Sequence, residues 1–284
     1  MFRASLTFAT ILLCAGLPLC AADLLPADRS MESVIDHYVD ELIKTNDVQT
    51  APQIDEYILV RRLMLDLAGR LPTTAELHAF VSADSAARRP QLVDRLLASP
   101  DFIDHHRNEL QLLLEYPERR NDNDFRKYLL WAVEQNRPWD AMFRDMLAGD
   151  ENDENQKAAL QFVKHRVRSL DDLTNDTAVL FFGVNVSCAK CHDHPLVEDW
   201  KQDHYYGMQS FFSRTFLTKK QDLGEKFYGE VKFTTTAGVE KQAKFMFLNG
   251  AVVDDGTPEL TDESRKKYDE LVKKLQQDDK VEVS

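Results

Sequence analysis

Residues 53–77 read QIDEYILVRRLMLDLAGRLPTTAEL, and this stretch decides the fold class. Ile54, Tyr57, Ile58, Leu63, Leu65 and Leu67 repeat with a helical period, so 53–68 is expected to be an amphipathic helix. Gly69 stops it. Thr73 and Glu76 then have the spacing of a capping box, and Leu77, Phe80 and Val81 follow on the expected buried stripe of a second helix.

Outward from there the same grammar continues. Upstream, Val34, Ile35, Tyr38, Leu42 and Ile43 share a helical face. Downstream, Gln91–Ala98 is apolar-periodic, and Ser99-Pro100 places a capping serine before a proline suited to a first helical turn. Residues 117–124, PERRNDND, form a polar break. Phe125, Tyr128, Leu129, Trp131 and Ala132 resume the pattern. Arg137-Pro138-Trp139-Asp140 opens a helix carrying Met142, Phe143, Met146 and Leu147, closed by Gly149-Asp150. The run DENDENQK at 150–157 reads as a solvated acidic loop. It lacks the glycine and spaced ligands of a calcium loop. Leu173–Val186 and Asp199–Phe212 are further helices.

Beyond Arg214 the character changes. Residues 227–248 are rich in Val, Thr and Phe and predict a β-hairpin turning near Ala237-Gly238. Residues 261–278 predict a solvent-facing helix with Tyr268, Leu271, Val272 and Leu275 as its apolar stripe. The expected architecture is mainly α. A helical domain spans 30–215, and a small C-terminal appendage of β-hairpin and terminal helix spans 216–284.

The N-terminus has a different expected role. One Arg precedes the apolar run Phe8–Leu19, which ends in Cys20-Ala21-Ala22, so 1–22 reads as a secretory signal peptide. The run is short of the roughly 20 residues that span a bilayer, although an uncleaved anchor is the alternative. Export places the mature chain in a periplasmic or extracellular setting, with no stable transmembrane segment. Cleavage removes Arg3 and takes the formal charge from −13 to −14. Such an acidic surface disfavours nucleic acid, whose phosphates require a basic face.

Cleavage also removes Cys14 and Cys20, two of the four cysteines, leaving Cys188 and Cys191. Both lie in CAKCHDHP, residues 188–195. Cys-x-x-Cys-His is the pattern by which two thiols add to the vinyl groups of haem and the next His becomes the proximal iron ligand. Here the thioether positions are Cys188 and Cys191 and the ligand is His192. His204 and Met208, four apart on one helical face, are candidates for the distal side of a covalently held haem c. The alternative is a zinc site or scaffold domain built from Cys188, Cys191, His192 and His194, because zinc accepts two Cys and two His. A redox dithiol and an inert disulfide turn are the remaining readings. Trp200, Tyr205, Tyr206, Phe211 and Phe212 suit either an apolar haem wall or an ordinary core. No Ser-His-Asp or paired-carboxylate arrangement identifies a catalytic site. The implied partner is a redox protein or a separate catalytic chain.

CAKCHDHPLVEDWKQDHYYGMQSFF resembles the hallmark of an exported bacterial family, the planctomycete cytochrome c-like domain of the second type, domain of unknown function 1549. YILVRRLMLDLAGRLPTTAEL, LVDRLLASPDF, NRPWDAMFRDMLAGD and FLNGAVV agree with it, over roughly residues 30–250. The resemblance implies a mostly helical domain with haem positions at Cys188, Cys191 and His192, completed by Asp193, His194 and Pro195. It brings no reaction or substrate. The chain departs from the family where relatives usually carry two Trp and a following Asp, which are His106, Leu110 and Leu112 here. Relatives also commonly carry further domains, so a stand-alone or truncated version is expected.

Overall fold

The computed structural model describes residues 25–117, 122–257 and 260–281. The expected signal peptide, 1–22, lies outside the described residues. The chain divides into two compact units, Met1–Asp55 and Glu56–Ser284. In the first, α1 (Met31–Thr45) is capped by Ser30, whose side chain accepts from the Ser33 amide. The expected helix is present, but none of its residues is fully buried.

The second unit opens with α2 (Glu56–Ala68), α3 (Thr74–Ser82) and α4 (Arg88–Leu97). Val60, Met64, Ala68, Phe80, Leu92 and Leu96 form their common core. The period expected for α2 is observed, but the buried face is not the expected one. Ile54, Tyr57 and Ile58 are exposed, while the i, i+4, i+8 row Val60, Met64 and Ala68 faces inward. This helix is apolar on several sides, so periodicity alone could not select its face. Gly69 ends α2 at φ +67°, and a β-carbon there would lie 2.5 Å from His105 Nδ1. Both the left-handed backbone and the close approach call for glycine. The capping box is present: the Glu76 amide donates to Thr73 Oγ1, and the Thr73 amide donates to Glu76 Oε2.

The largest core joins α5 (Pro100–Leu114), α6 (Asn123–Glu134), α7 (Trp139–Ala148), α8 (Glu154–Ala159), α9 (Gln161–Arg166) and α10 (Leu170–Phe182). Leu114, Phe125, Tyr128, Leu129, Met146, Phe162 and Leu173 are buried in it. Each such side chain contributes about 1.5–3 kcal/mol on burial. Two arginines are drawn into this region by carboxylates. Arg137 grips Asp145, and Arg166, 2% exposed, pairs with Asp176 and donates to the carbonyls of Phe162 and Leu114. The acidic run 150–157 is only partly a loop. Asp153 caps α8 by accepting from the Asn155 and Gln156 amides, so Glu154–Lys157 are helical.

α11 (Gln202–Ser210) packs on α10, and its glycine, Gly207, lets a strand approach closely. Among the described residues, the C-terminal region holds three small antiparallel hairpins, where the sequence led us to expect one. They are β1–β2 (Thr215–Leu217, Leu223–Glu225), β3–β4 (Lys232–Thr234, Glu240–Gln242) and β5–β6 (Phe245–Met246, Val252–Val253). The expected turn is the middle one, with Gly238 at φ +77°. Strands of two or three residues leave almost no alternation to read. Helix α12 (Asp262–Gln277) buries Val272 and Leu275 against Phe216, as its stripe predicts.

Candidate functional site

The Cys-x-x-Cys-His segment sits between α10 and α11. Helix α10 ends at Gly183, in the left-handed conformation at φ +67°, so the chain leaves the helix before the motif. Ser187–Lys190 form a single 3-10 turn. A 3-10 helix has three residues per turn, so positions i and i+3 eclipse one another. Cys188 lies within this turn and Cys191 caps it three residues on, its amide donating to the Cys188 carbonyl at 3.4 Å. Both are exposed and neither is in a disulfide. Ala189, between them, is fully buried with Ala178, Val186, Tyr205 and Met208. The turn thus offers its thiols outward and anchors itself through an alanine.

His192 follows, with Nδ1 2.7 Å from the carbonyl oxygen of Asp193. A carbonyl can only accept, so Nδ1 carries the proton and Nε2 of the neutral ring keeps its lone pair. This is the tautomer control that ligating imidazoles commonly receive from a carbonyl. His194 is committed differently. Its Nδ1 accepts from the amides of Leu196 and Val197, and its ring meets Trp200 edge-on at 5.4 Å. It closes the 194–200 loop together with the bond from its own amide to the Trp200 carbonyl. His204 Nδ1 accepts from the Lys201 amide at the start of α11. Met208 lies in the apolar cluster beneath the turn, 5% exposed. Among the described residues, no three His, Cys, Asp or Glu side chains converge as a set able to hold a metal ion.

Polar groups hold the turn in place, and the central one, Asp171, was not singled out by sequence reasoning. Asp171, in the first turn of α10, accepts from Lys190 Nζ at 2.6 Å, Tyr205 hydroxyl at 2.7 Å and Gln209 Nε2 at 3.0 Å. Burial pushes the Asp171 carboxyl upward, but these three donors outweigh it and hold it below the ordinary value. The hydrogen bond to Asp171 raises Lys190. Burial, with Asp171 adding to it, pushes the Tyr205 phenol up. The Lys190 carbonyl accepts from both Gln202 Nε2 and the Tyr206 hydroxyl. Asp193 pairs with Lys201 at 3.3 Å. The motif is fixed at its lysine and its aspartate, leaving the thiols exposed and the imidazole held only through Nδ1.

A family model matches residues 34–216, and its description is PSCyt2, protein of unknown function (DUF1549). The chain belongs to this family. PSCyt2 spans the helical elements from α1 to the start of β1 and includes the whole Cys-x-x-Cys-His turn. No curated protein and no solved structure matches the chain. The three positions at which a departure from PSCyt2 is expected all lie on α5. His106 stacks on Phe102 at 5.3 Å, Leu110 is buried in the large core, and Leu112 is 80% exposed. Among the described residues, no helix is long and apolar enough to cross a membrane.

Proposed function

We propose that the chain is an exported c-type haem protein that transfers electrons, with haem held covalently by Cys188 and Cys191 and His192 as the proximal ligand. One observation carries the reading: two accessible free thiols stand three residues apart at a 3-10 turn and its cap, and the next residue is an imidazole with its Nε2 lone pair available. Each thiol S–H would add across a vinyl group, its hydrogen passing to the neighbouring carbon, so attachment consumes no oxidant or reductant. The bound group supplies a one-electron couple whose potential depends on its axial ligands and surroundings. The chain's part is to hold the turn rigid through Asp171 and to keep His192 in the ligating tautomer. Export fits, because the N-terminal segment has the order of a secretory signal. The acidic charge of the chain suits a redox partner with a basic face.

The zinc scaffold asks more of the same residues. A closed zinc site needs four converging donors, whereas His194 Nδ1 is occupied by two backbone amides. The test is production in a host that exports the chain and has an active haem-attachment pathway. The purified protein is expected to weigh one haem more than its polypeptide, to keep that mass after denaturation, and to show a c-type absorption spectrum when reduced. Cys188→Ala and Cys191→Ala are each expected to weaken retention. Unmodified mass with one zinc per chain would overturn the reading in favour of the scaffold.

A further inference from the structure

Three histidines stand in the motif or soon after it, and the partner of each Nδ1 fixes where the ring hydrogen sits. At His192 that partner is the Asp193 carbonyl, which can only accept, so Nδ1 carries the hydrogen and Nε2 keeps its lone pair. At His204 it is the Lys201 amide, at 3.1 Å, which can only donate. The hydrogen of neutral His204 therefore sits on Nε2, and that nitrogen has no lone pair to give a metal. The same holds for His194, whose Nδ1 accepts from two amides. To ligate through Nε2, His204 would have to turn an Nδ1 hydrogen against the Lys201 N–H and open the first turn of α11.

Met208 is withdrawn in another way. Both cysteines and His192 are exposed, whereas Met208 is buried with Val186, Ala189 and Tyr205 in the cluster beneath the turn. It also lines an apolar cavity with Phe143, Phe182 and Met246, and neither cysteine nor His192 lines that cavity. To meet an iron held at the exposed thiols, its thioether would have to give up this burial. Lys190 and Lys201 are ammonium groups with donors only, and each is drawn to a carboxylate, Asp171 at 2.6 Å and Asp193 at 3.3 Å. Among the described residues of the motif and α11, His192 is then the one imidazole or thioether with a lone pair on the exposed side.

Given the haem reading above, on which this rests, we infer that His192 is the only axial ligand the chain supplies, and that the open position opposite it binds a small neutral diatomic molecule of the class of carbon monoxide and nitric oxide. Such a molecule gives a lone pair to the iron in the reduced state of the couple. Binding forms one dative bond, breaks none and consumes no oxidant or reductant. Steric access helps decide whether a haem iron takes an outside ligand, and an exposed turn leaves access open. The formal charge of −13 disfavours anionic ligands by comparison.

Two measurements test this, one of them without haem. In the chain produced without haem attachment, NMR of the imidazole nitrogens at about pH 8, where an ordinary imidazole is neutral, is expected to report Nδ1–H for His192 and Nε2–H for His194 and His204. An Nδ1–H tautomer at His204 would overturn the inference. In the haem-bearing protein, identified by its mass, the iron is expected to be high-spin in both oxidation states. The reduced protein is expected to take up one carbon monoxide per haem, read as a shift of its main absorption band. His204→Gln can still accept from the Lys201 amide as a capping-box residue, and Met208→Leu keeps the core volume. Each is expected to leave the spin state and the carbon monoxide titration unchanged. A low-spin wild type would overturn the inference while haem attachment stood, and conversion to high spin by either variant would name the ligand. Unmodified mass would overturn the haem reading, and this inference with it.

Discussion

Asp145 and Asp171 make the same number of bonds in two different settings. Asp145, on α7, is 3% exposed and accepts from Arg137 Nε and Nη2 and from the Tyr128 hydroxyl at 3.0 Å. Asp171, on α10, accepts from a lysine, a tyrosine and a glutamine, but its side chain is 40% exposed. The first carboxylate ties α6 to α7 inside the large core. The second ties the Cys-x-x-Cys-His turn to α10 and α11 at the surface. Solvent access decides what each is worth. Water screens the surface pair and can replace its lost partners. A broken buried pair leaves charged and polar groups with nowhere else to turn.

The largest effect is therefore expected at Asp145. Asp145→Asn removes the charge, strands the Arg137 guanidinium and leaves the fully buried Tyr128 hydroxyl with a weaker acceptor. Breaking a buried pair by deleting one partner costs about 3–5 kcal/mol. Arg137 keeps 26% exposure, so the lower end applies, about 3 kcal/mol. Urea denaturation followed by circular dichroism measures this. A loss below about 1 kcal/mol would erase the difference between the two carboxylates.

Sequence legibility divides along a similar line. Local signals were clear: the Thr73–Glu76 capping box and the Ser99-Pro100 start both occur as expected. These depend on residues three positions apart and on the backbone between them. The rotated face of α2 was not legible, because Leu59, Val60, Leu63, Met64, Leu65 and Leu67 give that helix apolar groups all round, and α3 and α4 choose the inward row. The motif itself announced Cys188, Cys191 and His192. Its supports did not. Asp171 meets Lys190 across 19 residues and Gln209 across 38, and an aspartate in a first helical turn reads simply as favourable to the helix dipole. The helix expected over Leu173–Val186 starts at Leu170 in the fold, so Asp171 lay outside the expected element, and nothing local distinguished it as the aspartate that reaches another one.

A smaller effect on stability, and a larger one on the motif, is expected for Asp171→Asn. The exposed ion pair with Lys190 is worth about 0.2–1 kcal/mol, and the amide still accepts from Tyr205 or Gln209. Global stability should fall by about 1 kcal/mol or less. The turn that carries the thiols loses its tie to α10, so in the chain produced without haem attachment, amide exchange at Ser187–Cys191 and alkylation of Cys188 and Cys191 should both accelerate. Unchanged exchange in this turn would mean that Ala189 packing alone holds it. Asp145→Asn, at a milder denaturant concentration chosen to keep it folded, serves as the control that should leave this local exchange alone.

The smallest effect is one of pH, and it separates the charge of Asp171 from its shape. In an unfolded chain an Asp titrates near about 3.9, and in the fold Asp171 is held lower by Lys190, Tyr205 and Gln209. The unfolded state therefore binds the proton first as pH falls. The stabilisation is fully present above the unfolded value and is lost as pH drops through the lower folded one. Lys190 bounds the other side: its folded value is raised, so its contribution is complete below the unfolded lysine value of about 10.4 and is lost as pH climbs through the folded one. Between these limits the stability difference between the wild type and Asp171→Asn should be flat. Below about pH 4 it should shrink, because the wild-type carboxyl becomes neutral like the amide. The span is at most about 1 kcal/mol, given the exposure of both side chains, and salt should compress it further. Paired urea titrations at pH 7, 5, 4 and 3 resolve it. A difference that persists unchanged at pH 3 would show that the turn is held by the geometry of three donors around an oxygen, with the charge contributing nothing.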